Sequence, residues 1–354
     1  MPAKGRPNSL DIAMRAGVSQ ATVSRALRGS PLVNKATRER IEKIARELNY
    51  KVDKSASNLR TQRSNTLALL LFEDPTDDQS LINPFFLSML ASITRAAAAA
   101  NQDLLVSFQQ LSDDWQADYE NTHKADGLIL LGYGDYVEYR SKLERLTAGG
   151  AHFVRWGATR ANQPGLAIGC DNIGGGEQVT EHLIAQGRER VAFIGEASSR
   201  YPEFNDRYRG YRKALEGAGL DVDTGLQVDA ITTERSGIEA TRELLARGVS
   251  FDAIFAASDL IAIGAIQALL DAGYQVPEQV AVAGFDDIPM AQYCRPALTT
   301  LRQDTIGAGK VLVESLIRLI AEEPVESHTI AGQLIVRASC GAIAGRAAQS
   351  VPDR

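Results

Sequence analysis

The chain has 354 residues, 44% hydrophobic and 23% charged, an ordinary globular mixture with enough apolar side chains for a large core. Its longest apolar runs (Leu67–Phe72, Gly127–Leu131, Val280–Gly284) are far shorter than the roughly 20 residues of a membrane helix, and they read as buried strands. The net charge of −6 conceals an asymmetry: residues 1–63 hold 14 Lys+Arg against 5 Asp+Glu, a balance of +9, and the remainder is strongly acidic at −15. A small basic module that meets a polyanion, joined to an acidic body with another task, is the organisation this implies.

In chain order, Ser9 is expected to cap a short helix over Leu10–Ala16, which Gly17 breaks. Ser19 caps a second helix from Gln20 to about Arg28. Ile12, Ala13, Val18, Val23 and Leu27 supply a shared core, and two short helices joined by a tight Gly-containing turn form a helix-turn-helix signature. A third helix, capped by Asn34, runs to about Leu48 with Ile41, Ile44, Ala45 and Leu48 on one stripe. In such a module the start of the second helix enters the major groove. That turns Gln20, Ala21, Thr22, Ser24 and Arg25 toward DNA. Gln20 can bridge to adenine, Arg25 can fork onto guanine, and the hydroxyls of Ser19 and Thr22 suit phosphate. A surface ion pair for Arg25 and a plain cap for Ser19 remain the alternatives.

The run Asp11-Ile12-Ala13-x-x-Ala16-Gly17-Val18-Ser19-x-Ala21-Thr22-Val23-Ser24-Arg25-x-Leu27 closely resembles the headpiece of the lactose-repressor/galactose-repressor (LacI/GalR) family. Val33-Asn34-x-x-Thr37-Arg38-x-Arg40-Ile41 and Leu48-Asn49-Tyr50 continue the likeness. The resemblance gives the polar, basic segment 51–63 a meaning. In that family it folds as a hinge helix on operator DNA, and a leucine from each of two subunits wedges into the minor groove. Leu59, followed by Arg60, matches that position. A short isolated helix is marginal in water, so its order can depend on DNA.

From Asn65 onward apolar runs alternate with helical stretches. Strands are expected at Thr66–Phe72, Asp103–Phe108, Gly127–Leu131, Ala151–Trp156, Arg190–Ile194, Ala253–Ala257 and Val280–Ala283, with a helix over Phe85–Asn101. Strands separated by helices imply parallel sheets covered on both faces, and this length favours two α/β lobes with a ligand cleft at the strands' carboxyl ends. The family likeness extends over the body through Asn83-Pro84-Phe85-Phe86, Asp171-Asn172, Arg207 with Gly210-Tyr211, Ser258-Asp259, Gly284-Phe285-Asp286-Asp287 and Leu334–Ser339. It implies a fold class with an all-α helix-turn-helix headpiece and a two-lobed body resembling periplasmic sugar-binding proteins. The expected domains are a DNA-binding domain 1–50, a hinge 51–63, an effector-binding and dimerisation domain 64–341, and a tail 342–354. The lobes are expected at about 64–170 with 299–332 and at 171–298 with 333–341. The chain would cross between them near residues 170, 298 and 333. Gly174-Gly175-Gly176 lacks the neighbours of a phosphate loop and reads as a tight crossing turn.

For the effector, Phe85 and Phe86 can stack on a ring or serve as core. Asp259 and Asp286 can each accept two hydroxyl hydrogen bonds, although Asp259 can equally be a helix cap. Arg207 matches the family's effector-contacting arginine. Arg155 stands where members often carry Asp, which keeps an acidic sugar derivative in view, and Trp156 can stack on a sugar ring. The expected partners are pseudo-palindromic duplex DNA, a sugar or sugar-derivative effector and a second copy of the chain, without a membrane. Ile261–Leu270 and Val276–Gly284 match the family's dimer face or are core. The tail lacks leucine heptads, so no coiled-coil tetramer is expected.

The charged amino terminus has no apolar core behind it, so no secretion signal is expected. Cys170, Cys294 and Cys340 are odd in number and far apart, which fits a reducing cytoplasm, and the scattered histidines predict no metal or other cofactor. No catalytic constellation stands out, so no catalytic residues are assigned. The reading is a repressor of carbohydrate-utilisation genes, coupled reciprocally to its effector. The alternatives are a corepressor-dependent regulator sensing a nucleobase, nucleoside or acidic metabolite, and a solute-binding protein.

Overall fold

The computed structural model describes residues 7–27, 29–50, 63–72, 82–132, 135–161 and 163–341. Leu59, Arg60 and the tail 342–354 lie outside the described residues. The chain divides into two compact units, Met1–Ser64 and Asn65–Arg354.

In the first unit, α1 (Ser9–Ala16) is capped by Asn8, one residue before the expected Ser9. Asn8 Oδ1 accepts from the backbone N–H groups of Leu10 (2.8 Å) and Asp11 (3.2 Å), and Asp11 returns a carboxylate to the N–H of Asn8 at 2.8 Å. This reciprocal box satisfies donors that the first turn leaves unpaired. Gly17 ends the helix at φ 61°, a left-handed conformation that costs glycine little. Helix α2 (Gln20–Leu27) begins at Ser19, whose Oγ accepts from the N–H of Thr22 at 3.2 Å. Helix α3 (Lys35–Glu47) is capped by Asn34, which accepts from the N–H of Thr37 at 2.8 Å. Ile12, Ala16, Val23, Ala26, Ile41 and Ala45 form the small core, with Val18, Leu27, Ile44 and Leu48 half-buried around it.

The second unit holds two six-stranded sheets. The first contains β1 (Thr66–Leu71), β2 (Asp103–Phe108), β3 (Gly127–Leu131), β4 (Phe153–Trp156) and β5 (Leu166–Cys170). Helices α4 (Pro84–Ala99) and α5 (Tyr136–Ala148) belong to the same lobe. All its paired strands run parallel, and β1 shows why both faces are apolar: Leu67, Leu69 and Leu71 enter one core, Ala68 and Leu70 another.

The second sheet is built from β6 (Val191–Ile194), β7 (Gln227–Val228), β8 (Ala253–Ala256), β9 (Ala281–Asp286) and β10 (Thr299–Arg302). It is covered by α6 (Asn172–Ala185), α7 (Pro202–Gly217), α8 (Glu234–Ala246) and α9 (Asp259–Asp271). Helix α10 (Thr305–Ile320) then packs back on the first lobe against α4 and β4. The last two strands finally part company: β11 (His328–Ile330) joins β5, and β12 (Gln333–Ile335) joins β10 antiparallel.

Two sequence expectations change here. The strand at 299–302 pairs with β9 at Thr299↔Ala283 and so belongs to the second lobe, which moves that crossing from 298 to beyond Arg302. Gly174-Gly175-Gly176 lies inside α6 rather than in a turn. The physical reason is close helix packing: a Cβ on Gly176 would sit 2.2 Å from the carbonyl oxygen of Arg207, and one on Gly210 would sit 2.1 Å from that of Ile173. The bare glycine backbones let α6 and α7 approach, which sets the position of Arg207. Within Ile261–Leu270, Ile261, Ala262, Ala265, Ile266 and Leu269 are buried in this chain's own core, while Leu270 is exposed, as is Tyr274 just beyond the range.

Candidate functional site

On the headpiece, Ser19, Gln20, Ala21 and Arg25 are exposed at the start and outer side of α2, and Thr22 and Ser24 are half-buried. Ser19 Oγ and Thr22 Oγ1 are 2.9 Å apart, and Gln20 Nε2 donates to Ser9 Oγ at 2.8 Å. Asn34 is exposed, but its side-chain oxygen is engaged in capping α3. The arrangement presents polar and cationic groups over a rigid apolar base, as a groove-reading helix requires.

In the body, a cleft of about 660 Å³, including its solvent-open mouth, lies at the carboxyl ends of strands from both sheets. The first lobe contributes Phe72, Gly132 and Trp156 from strand ends, and Asn83, Phe85 and Phe86 from the start of α4. Asn83 caps that helix by accepting from the N–H of Phe85 at 2.9 Å, and Pro84 fits its first turn. The second lobe contributes Tyr201, Glu203, Phe204 and Arg207 from the α7 region, Thr232, and Asp286 from the end of β9. Gln303, at the crossing after β10, completes the lining.

Arg207 is buried and tightly held. Its Nε donates to Asn172 Oδ1 at 2.9 Å, one Nη donates to the carbonyl of Ala257, and the other faces Asp286 Oδ1 at 3.7 Å. The guanidinium lies 3.7 Å from the Phe285 ring centroid and 5.3 Å from that of Phe204. Asp286 accepts from Gln303 Nε2 at 2.6 Å. Burial carries its carboxyl up to about 6, with Arg207 and the Gln303 bond opposing the rise. At φ 122°, Asp286 is in a backbone region that L-residues rarely adopt, and its interactions hold this strain at the cleft.

Of the expected effector residues, Phe85, Phe86, Trp156, Arg207 and Asp286 meet in this one cleft. Arg155 and Asp259 do not line it, which corrects the sequence reading. Arg155 is fully buried and donates to the carbonyls of Ala158 (3.2 Å) and Pro164 (3.3 Å) and to Gln163 Oε1 (2.6 Å). Consecutive strand residues face opposite sides, so the register that turns Trp156 into the cleft turns Arg155 away. Asp259 is also fully buried, accepting from Thr300 Oγ1 at 2.5 Å and from the N–H of Ile288 at 2.8 Å. It ties α9 to β10 and the loop after β9, and burial, reinforced by Asp286, pushes its carboxyl well up. Ser258, not Asp259, supplies the helix cap.

Sequence reasoning missed Phe72, Asn83, Gly132, Tyr201, Glu203, Phe204, Thr232 and Gln303 as cleft residues. Tyr201-Pro202-Glu203-Phe204, aromatics flanking a helix-starting proline, carried a usable signal. Among the described residues no group of His, Cys, Asp and Glu is placed to hold a metal ion, and no helix is long and apolar enough to cross a membrane.

Comparison with known proteins follows the same division. Residues 10–53 match the model of bacterial regulatory proteins of the lacI family, and residues 180–340 match a periplasmic binding protein-like domain. The HTH-type transcriptional regulator CelR of Thermobifida fusca is 32% identical over 330 residues, spanning 92% of this chain and 95% of that protein. A solved CelR–cellobiose complex superimposes with a TM-score of 0.70 at 31% identity, covering 94% of this chain and all of the other. The lac repressor dimer bound to operator and an anti-inducer shares the fold, with a TM-score of 0.79 at 24% identity over 95% of this chain and 99% of that one.

Proposed function

The chain belongs to the lacI family of bacterial regulatory proteins and is a helix-turn-helix transcriptional regulator rather than an enzyme, and from that premise we propose that it is a repressor of carbohydrate-utilisation genes whose operator affinity is set by a neutral sugar in the cleft. The observation that carries the effector class is the lining itself. Aromatic rings from both lobes offer faces for sugar C–H surfaces, and Asn83, Thr232, Asp286 and Gln303 offer hydroxyl partners. Among the described lining residues Arg207 is the one cation, and it is already matched to Asp286, while Glu203 adds a second carboxylate. That balance disfavours phosphates and uronates, and Arg155, which had kept an acidic effector in view, is spent inside the first lobe. The bound cellobiose of the CelR complex supports a sugar of this kind.

The proposed DNA contacts are Ser19, Gln20, Ala21, Thr22, Ser24, Arg25 and Asn34, with Leu59 and Arg60 in the hinge. Helix-turn-helix proteins read palindromes as pairs, so the working form is a homodimer in the cytoplasm, where its three cysteines remain thiols. Calorimetry of the full chain against cellobiose, pentoses, sugar phosphates, uronates and nucleosides tests the reading, followed by operator gel shifts with any ligand that binds. A neutral sugar that binds and changes operator affinity is expected. Tight nucleoside or sugar-phosphate binding with no response to neutral sugars overturns it.

A further inference from the structure

Beyond the pocket lining, a second set of contacts joins the two lobes. Arg155, near the end of β4, holds the loop residues 157–161 and 163–164 by donating to Ala158 O, Pro164 O and Gln163 Oε1. The loop so held presents two groups to the start of α7. The N–H of Ala158 donates to Glu203 Oε1 at 2.8 Å. Arg160 forks onto Asp206, with Nε at 3.1 Å from Oδ2 and Nη2 at 2.6 Å from Oδ1, and Nη2 also reaches Asn205 Oδ1 at 2.8 Å and the Pro202 carbonyl at 3.0 Å. A second strap runs beside it: the N–H of Tyr136 donates to the carbonyl of Arg200 at 2.8 Å, and the Arg200 guanidinium pairs with Asp135. Both sets cross from the first lobe to the second.

We propose that the Arg155-anchored residues 157–161 and 163–164, closed by Arg160 on Asp206, form an interlobe clasp that sets how readily the cleft closes and therefore how sensitive operator binding is to the effector. The inference rests on the effector-cleft reading above. Arg160, Asn205 and Asp206 do not line the cleft, so the clasp contributes to closure whatever the cleft holds. The Asp206 side chain is 9% exposed and that of Arg160 29%, so water screens this pair far less than a surface pair. An effector gripped by both lobes binds the closed form, and its apparent affinity scales with the fraction of chains that can close. Arg155 acts through the loop and is a positioning residue.

The test uses the full chain and two readouts. Without sugar, Arg160→Ala should speed amide exchange at Ala158 by about ten-fold, the scale expected for losing hydrogen bonds to a charged group. In calorimetry the same variant should bind the effector about ten-fold more weakly, although no residue lining the cleft has changed. Arg160→Lys, which keeps the charge but loses the fork, should fall between wild type and Arg160→Ala in both readouts. Arg155→Lys should speed exchange at Ala158 and leave Tyr136 unaffected. Unchanged exchange at Ala158 in Arg160→Ala overturns the clasp. Faster exchange with unaltered sugar affinity overturns its control of sensitivity. A wild-type chain that binds no sugar overturns the effector reading instead, and the exchange result still decides whether the clasp exists.

Discussion

The headpiece and the cleft solve recognition in opposite ways. The headpiece places most of its proposed reading groups on the outer side of the eight-residue helix α2, over a core of small and β-branched side chains. The cleft assembles its groups from positions as distant as Phe72 and Gln303, buries Arg207 and Asp286, and spends hydrogen bonds on fixing them before any ligand is considered. A partner as large as duplex DNA can come to an exposed helix. A small molecule has to be surrounded, so its site must be drawn from the whole sheet edge.

The strongest way to break this contrast is to damage one region alone. Ile41 is wholly buried in the headpiece core, and Ile41→Ala should cost about 4 kcal/mol, most of what a three-helix module can hold. Operator binding should vanish in gel shifts while calorimetric sugar affinity stays at the wild-type value. A parallel loss of sugar binding would mean that the two regions are not energetically separate.

The next prediction sharpens the account of the cleft. The folded carboxyl of Asp286 titrates at about 6, against an ordinary 3.8, so the folded state holds that proton more tightly than the unfolded chain. The stability this adds is complete below about pH 4 and is lost as pH rises through 6. Asp286→Asn carries no charge at any pH and escapes that loss. Its stability relative to wild type should therefore rise by up to about 3 kcal/mol between pH 4 and pH 7 in thermal or denaturant unfolding. The attraction to Arg207 adds no separate offset, because it already holds the Asp286 carboxyl down at about 6 against the desolvation that raises it. A difference that does not change with pH would sink this account of Asp286.

The smallest effect belongs to the exposed helix. Arg25→Ala should weaken specific operator binding by about 2 kcal/mol and barely change non-specific binding, because only the base-edge contact is lost. Equal losses on specific and random duplexes would assign Arg25 to phosphate instead.

What the sequence disclosed follows the same divide. The three headpiece helices are legible because cap, core stripe and Gly turn all lie within one contiguous run. The single slip, Ser9 for Asn8, is between adjacent residues that both can cap, and the Asn8/Asp11 spacing of a capping box decides it. Strands β1, β3, β4, β6, β8 and β9 are legible as apolar runs, whereas β5 and β10, also inside their sheets, are not among the expected strands. The edge strands β11 and β12 are not, since three-residue pairings with partly exposed side chains leave no period to read. In the cleft, Arg207 is marked by the family resemblance, while Phe85, Phe86, Trp156 and Asp286 are marked by side chains suited to sugar faces and hydroxyls. Arg155 and Asp259 were misplaced because strand phase and burial decide whether a charged side chain faces ligand or scaffold, and Gln303 carries no local signal at all.

The route of the chain near its end also bears on how such a regulator can be rebuilt. His328–Ile330 completes one sheet and Gln333–Ile335 the other, two residues later. A stop codon ahead of residue 328 would therefore strip an edge from both lobes at once. Neither lobe is a continuous stretch that can be cut out and transplanted. The first 64 residues are, so chimaeras that trade operator choice should graft cleanly, whereas a new sugar specificity must be evolved in place.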